Sequence, residues 1–80
     1  MKLSIYSLKK VLFQGDASLL NCKTMMGEIT ILDNHETFIG VITAGIIKVV
    51  DQTQKEHFFP IKSGFLEVKP GNEVRCIIEE

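Results

Sequence analysis

The 80 residues predict an all-β fold, a flattened antiparallel β-sandwich or barrel of about eight to ten short strands. Three observations lead to this prediction. The apolar residues come in short runs that are rich in isoleucine and valine, and each run is too short for a stable helix. Asp, Asn and Gly, which favour turns, separate these runs. No stretch of the chain carries the period of an amphipathic helix.

The central stretch, residues 27–50, shows this pattern most clearly. Apolar runs occupy residues 29–32, 38–42 and 46–50, and each predicts a strand. The sequence DNHE breaks the pattern at residues 33–36, and TAG breaks it again at residues 43–45. The segments before and after this stretch have the same character, so we expect further short strands on either side.

Before the centre, residues 2–7 alternate between apolar and polar side chains and predict an opening strand with Leu3 and Ile5 on its buried face. Two lysines then interrupt the pattern. It resumes at Val11 and Phe13, and the sequence QGD at residues 14–16 predicts a turn. Residues 17–24 predict a weaker strand, followed by a loop that carries two methionines.

After the centre, the polar residues 51–56 predict a hairpin tip. Residues 57–61 predict a strand that lies at an edge, is bulged or ends at Pro60, because proline cannot donate to a β ladder. The sequence SG at residues 63–64 predicts a bend. The sequence PGN at residues 70–72 predicts a turn between two last alternating strands.

Length and charge limit what the chain can do. Eighty residues predict one domain, residues 1–80, that buries a modest core. The net charge of −1, from 9 basic and 10 acidic residues, provides no basic surface for nucleic acid or for an anionic membrane. The start of the chain lacks the apolar core of an export signal. The apolar runs fall short of a membrane span, so we expect no direct membrane insertion.

The candidate residues for chemistry are few. The soft metal ligands do not occur at a metal-binding spacing, so we predict no metal site; these ligands are Cys22, His35, His57 and Cys76. The two cysteines are interpreted as buried free thiols. Phosphate-binding glycine loops and nucleophile elbows are absent, and carboxylates beside a histidine in a turn are typical of a solvated loop. We therefore expect no catalytic residue and no cofactor.

Two features leave alternatives open. His35 is interpreted either as the corner of a turn whose ring packs on a strand end, or as a polar contact at a protein interface. Met25 and Met26 are either incidental surface residues or an adaptable apolar contact for a partner. The residues by themselves therefore indicate a small, non-catalytic β domain suited to protein contact, without naming the partner.

Three motifs in the same order resemble the N-terminal β-sandwich domain of ATP synthase epsilon subunits. They are GEITILDNH at residues 27–35, GIIKV at residues 45–49 and SGFLEV at residues 63–68. The resemblance covers nearly the whole chain. Several prolines and glycines of the family pattern are replaced, for example by Thr30, Asp33 and Ala44. The family's C-terminal helical hairpin has no counterpart in these 80 residues, whether by nature or by truncation, so neither inhibition by extending helices nor a nucleotide site is expected.

The resemblance implies a function and two partners. It implies a non-catalytic subunit of the central stalk of a rotary ATP synthase, peripheral at the cytoplasmic face of the energy-transducing membrane. There it would bind the gamma subunit and the membrane rotor ring, coupling ion-driven rotation to ATP synthesis. The resemblance places Glu28 and His35 in the loops that face the rotor ring, and we expect their neighbours Met25, Met26 and Asn34 to contribute to that contact. We expect the exposed outer face of the sheet, near residues 38–42 and 63–65, to meet the gamma subunit. The positions named for this contact are Phe38, Gly40, Ile42, Ser63 and Phe65.

Two other classes of function remain as alternatives. One is a generic β-sandwich adaptor or ligand-binding module in an unrelated complex, which would bind something other than a gamma-type coiled coil. The other is a small hydrolase or metal enzyme built on the histidines and cysteines. Metal analysis of the purified protein tests the second alternative directly.

Overall fold

Short apolar runs and polar turns fold the chain into eight strands, in a computed structural model that describes all of residues 1–80. The strands are β1 (Lys2–Tyr6), β2 (Val11–Thr24), β3 (Gly27–Leu32), β4 (Phe38–Ile42), β5 (Gly45–Asp51), β6 (Glu56–Ile61), β7 (Ser63–Lys69) and β8 (Glu73–Glu79). The predicted all-β sandwich is confirmed. The structure holds no helix that is long and apolar enough to cross a bilayer.

The strands form two layers that share β2. One layer runs β4–β7–β8–β1 and continues into the first half of β2. In the other layer, the second half of β2 lies between β3 and β5, and β6 completes that layer beyond β5. A single pair, Thr24 with Ile42, also joins the end of β2 to β4. The fold is therefore a sandwich that is partly closed into a barrel.

The core lies between the layers and follows the period-2 pattern of the strands. In β1 the side chains of Leu3 and Ile5 are buried, and in β8 those of Val74, Cys76 and Ile78 are buried, as the alternation predicts. The buried apolar residues form one cluster: Met1, Leu3, Ile5, Ala17, Leu20, Cys22, Ile31, Ile42, Ile47, Val49, Ile61, Leu66, Val68, Val74, Cys76 and Ile78.

The turn predicted at residues 14–16 is wrong. These residues lie inside β2, which runs without a break for 14 residues, and Gln14, Gly15 and Asp16 pair with β1. The polar residues resemble a turn because this part of β2 is exposed to solvent. Gly15 has a φ of 155°, in the region that favours glycine, so the residue marks a local distortion of a strand.

Two further details differ from the expected antiparallel sandwich with a bend at residues 63–64. β1 pairs with β8 in parallel, although every other strand pair is antiparallel. The bend predicted at residues 63–64 lies one residue earlier, because Ser63 and Gly64 already belong to β7 and only Lys62 separates β7 from β6. In contrast, Pro60 lies on an edge strand as predicted, since β6 pairs only with β5.

Candidate interaction surfaces

An apolar row crosses the outer side of the layer that contains β4, β7 and β8. Val41 lies opposite Phe65, Phe65 opposite Ile77, and Ile77 opposite Tyr6 of β1. The side chain of Phe65 is 61% exposed, and Val41 and Ile77 are also exposed. With neighbouring strands about 4.8 Å apart, the row spans roughly 14 Å. We call these four residues the apolar row.

The next row on the same side is mostly polar. Ile39, 74% exposed, lies opposite Glu67, which in turn lies opposite Arg75. Arg75 Nη2 donates to Glu67 Oε1 at 2.6 Å, and the Glu67 carboxylate raises the pKa of Arg75. A fixed ion pair therefore borders the apolar row and leaves Ile39 as an apolar extension of it.

The predicted gamma-binding positions divide between the two sides of this layer. Phe38 and Ile42 face the core, and so does Gly40 between them, whereas Ser63 and Phe65 are exposed. A side chain at Gly40 would come within 2.8 Å of the Phe38 ring, which lies over the glycine. The outer side of residues 38–42 is formed instead by Ile39 and Val41, which the prediction omitted.

The predicted loop after β2 is a tight turn formed by Met25 and Met26. The Thr24 hydroxyl donates to Gly27 O at 2.8 Å and accepts from Met26 N at 3.1 Å, and Gly27 has a φ of 114°. Because Thr24 and Gly27 set the turn geometry, the methionines need no turn propensity of their own. Both methionine side chains are exposed, and we call this pair the methionine turn.

The methionine turn adjoins the apolar row. Met25 N donates to Val41 O at 3.0 Å, so the turn begins where β4 carries the row's first residue. Glu28 follows on β3, in register with Lys23 of β2, and is exposed. This corner of the molecule thus presents two apolar side chains, one carboxylate and the end of the apolar row.

Asn34 and His35 lie at the other end of β3. The strand has six residues, so roughly 17 Å separates its ends. Asn34, with a φ of 61°, donates its N–H to Asn72 Oδ1 at 2.7 Å, and this bond ties the loop to the turn between β7 and β8. The His35 ring is exposed, and its centroid lies 6.3 Å from that of Phe38. The five positions predicted to meet the ring are therefore not brought together in one patch.

Asp51 organises the predicted hairpin tip between β5 and β6. Its Oδ1 accepts from Thr53 N, Thr53 Oγ1 and Lys55 N at 2.7–3.0 Å, while Oδ2 lies 2.8 Å from His57 Nε2. The bond with His57, followed by that with Thr53, holds the pKa of Asp51 well below its usual range. Both carboxylate oxygens are engaged by local partners, so Asp51 stabilises the hairpin and is not available to bind a ligand.

The four residues considered as metal ligands do not meet in one site. Cys22 and Cys76 are free thiols buried in the core, as predicted. Burial raises the pKa of the Cys22 thiol to about 11 and also raises that of Cys76. His35 lies in the loop after β3, whereas His57 lies in β6. No group of three or more His, Cys, Asp or Glu side chains comes together.

Known proteins that are similar to this chain are all described as parts of ATP synthases. A family model described as "ATP synthase, Delta/Epsilon chain, beta-sandwich domain" matches residues 1–80. The ATP synthase epsilon chain of Clostridium novyi (strain NT) is 34% identical over 67 residues, which are 84% of this chain and 51% of that protein. That of Desulfosudis oleivorans is 29% identical over 79 residues, 99% of this chain and 59% of that protein. The chain thus spans little more than half the length of these curated relatives.

Solved structures agree on the fold. A chain of the Euglena gracilis mitochondrial ATP synthase, from a cryo-EM structure that includes the c-ring, superposes on the whole of this chain and 51% of its own, with a TM-score of 0.93 and 22% identity. A chain of the Tetrahymena thermophila mitochondrial ATP synthase, from its central stalk and c-ring, gives 0.85 at 16% identity over 63% of that chain. Because the family model matches from the first residue to the last, this chain belongs to the family of ATP synthase delta/epsilon chain β-sandwich domains.

Proposed function

We propose that the chain is a non-catalytic part of the central stalk of a rotary ATP synthase, with residues 1–80 working as one β-sandwich domain. In this role it binds the gamma subunit and the membrane rotor ring, and it couples ion-driven rotation to ATP synthesis. It lies at the cytoplasmic face of the membrane, peripheral to it. Membership of the family supports this proposal, and the exposed apolar row is the observation that carries it.

The gamma subunit, on this proposal, packs against the apolar row and Ile39. Four adjacent strands present this surface on a rigid hydrogen-bonded layer, which suits a contact that must resist twisting. An aromatic residue at the middle of a row, with aliphatic neighbours on both sides, is typical of the residues that contribute most to binding. Phe65 is therefore the proposed anchor, and Ser63 lies beside it on β7.

The rotor ring, on this proposal, meets the methionine turn and Glu28. Exposed methionines make adaptable apolar contacts, and the carboxylate accepts from a basic or amide group of the ring. Asn34 and His35 lie at the opposite end of β3. A partner bound at the methionine turn therefore contacts them only if it extends a second loop to that end. His35 adjoins Phe38 and hence the edge of the gamma surface, which offers it a contact there.

Substitution of Phe65 tests the gamma contact. We expect Phe65→Ser to weaken binding to the gamma subunit by roughly 30-fold, since a buried aromatic anchor contributes about 2 kcal/mol or more. Titration calorimetry with the gamma coiled coil measures this change. Phe58→Ser is the matched control, because Phe58 is exposed to nearly the same extent, 57%, but lies on β6 of the other layer.

Three results decide between the candidates. A selective loss with Phe65→Ser supports the proposed surface, and an equal loss with both variants contradicts it. Failure of the unaltered chain to bind gamma, together with binding to an unrelated protein, favours the adaptor alternative.

A further inference from the structure

The Glu28 carboxylate is held in place by an amide from the neighbouring strand. Asn21 Nδ2 donates to Glu28 Oε2 at 3.0 Å and to Thr30 Oγ1 at 2.9 Å. A carboxylate only accepts hydrogen bonds, so the nitrogen of the Asn21 amide must face it, and both N–H groups of the amide are used. The Glu28 side chain therefore lies along the outer side of β3 in a defined position.

The cations nearest to Glu28 are directed elsewhere. Lys23 lies directly opposite Glu28, yet the two form no ion pair, and the Lys23 stem lies against Gly45, where an added Cβ would be 3.4 Å from Lys23 Cδ. Lys48 lies opposite Asn21 and pairs with Glu56 at 3.0 Å. Glu28 thus has a neutral hydrogen-bond partner on Oε2, no ion pair, and no protein partner on Oε1.

We propose that Asn21 is a positioning residue for a partner contact: it orients the Glu28 carboxylate so that Oε1 receives an ammonium or guanidinium group. The inference rests on the proposed function, in which Glu28 meets the rotor ring. A side chain fixed before contact loses less conformational freedom when the ion pair forms.

Thr30 completes the arrangement. Its hydroxyl accepts the second N–H of the Asn21 amide, so the amide does not rotate away from Glu28. Lys23 forms no ion pair with the carboxylate, and its stem lies on the side of Gly45. The Glu28 carboxylate on the outer side of β3 therefore remains an acceptor for a partner that supplies a donor.

The hydrogen bond itself is tested without any partner. We expect the two side-chain amide protons of Asn21 to resonate away from those of the exposed Gln52 and Gln54 in a 15N-resolved NMR spectrum. Glu28→Ala should move one of the two towards the exposed values, and Thr30→Val should move the other. An Asn21 amide that is indifferent to Glu28→Ala overturns the positioning role.

The binding role is tested by a double-mutant cycle with purified rotor ring. We expect Asn21→Ala to weaken binding by roughly 3-fold to 10-fold, as loss of one hydrogen bond predicts, and Glu28→Gln to weaken it at least as much. The double variant should bind no more weakly than Glu28→Gln alone, because Asn21 acts through the carboxylate. The salt dependence of binding should fall with Glu28→Gln and stay unchanged in Asp16→Asn, whose exposed side chain lies on the part of β2 that pairs with β1 and not with β3.

The outcomes separate the inference from the function on which it rests. If the unaltered chain does not bind the ring, both the ring contact and the role of Asn21 in it are overturned. If the unaltered chain binds, but Asn21→Ala has the same effect with and without Glu28, the ring contact stands and the positioning role is overturned. Thermal unfolding of each variant distinguishes either result from loss of the fold.

Discussion

Glycines at two strand positions show how single atoms limit the choice of residue. A Cβ on Gly64 would lie 2.6 Å from the Ile77 carbonyl oxygen, which is backbone and cannot move aside without shifting β8. A Cβ on Gly40 would lie 2.8 Å from the far end of the Phe38 ring, which can tilt. Both sites disfavour a side chain, but the obstacle is rigid backbone at Gly64 and a movable ring at Gly40.

We expect Gly64→Ala to lower the free energy of unfolding by about 1–3 kcal/mol, the range for forcing a methyl group into a packed site. Gly40→Ala should cost less, because only a half-buried ring must move. Denaturant unfolding of both variants checks this order. Equal losses would mean that the β7–β8 pair has more freedom than the close backbone approach allows.

Asp51 links stability to pH. Its pKa is lowered in the folded protein, chiefly by His57, so the ionised form stabilises the fold at neutral pH. That contribution is complete above the ordinary Asp pKa of about 3.9 and is lost as the pH falls towards the lower value in the folded state.

We therefore expect Asp51→Asn to be less stable than the unaltered chain at pH 7, with a difference that shrinks below about pH 4. Denaturant unfolding across this range measures the difference. Asp16→Asn, whose side chain is exposed and forms no ion pair, serves as the control and should track the unaltered chain at each pH. A difference that is constant with pH would contradict the assignment to the carboxylate.

At the scale of the elements, the strands with one buried face were predictable, because their apolar and polar residues alternate. β2 was not, since its first half is exposed and contains Gln, Gly and Asp, the letters of a turn. The parallel pairing of β1 with β8 joins the two ends of the chain, and no local pattern signals it. The outward position of Ile39 and Val41 follows from which face of β4 packs inward, and a continuous apolar run leaves that choice open.

Hydrogen exchange should follow the position of each strand in its layer. We expect the amides of Leu19, Leu20 and Asn21 to exchange slowest, because β3 and β5 flank this part of β2 on both sides. The amides of β6 should exchange faster, since β6 lies at an edge and pairs only with β5. NMR-detected exchange resolves the two groups, and equal protection would argue that another chain covers β6.

The whole molecule measures about 25 × 23 × 20 Å, so each proposed contact takes up a large share of it. The apolar row lies on one layer and the methionine turn at its end, while the core between the layers contains no reactive group that reaches solvent. Of the residues proposed for these contacts, the sequence analysis had named the methionines, Glu28 and Phe65. It did not name Asn21, whose proposed role depends on a cross-strand neighbour that only the pairing register reveals.

The thiols report on the integrity of this core. We expect Cys22 and Cys76 to resist alkylation by iodoacetamide at pH 8 in the folded state, since both are buried and burial raises the pKa of each thiol. Both should react fully in denaturant, and mass spectrometry counts the added groups. Rapid labelling without denaturant would show that the layers separate often.

The sharing of β2 by both layers has a mechanical consequence. In a sandwich whose sheets touch only through side chains, a sideways load lets one sheet slip over the other. Here slippage would require β2 to kink near Ala17 or to shed its ladder bonds to β1 or to β3 and β5. A force applied at Phe65 therefore passes through the hydrogen-bonded strands β8 and β1 to β2, and the continuous backbone of β2 transmits it to the opposite layer. The domain is thus expected to move as a rigid body.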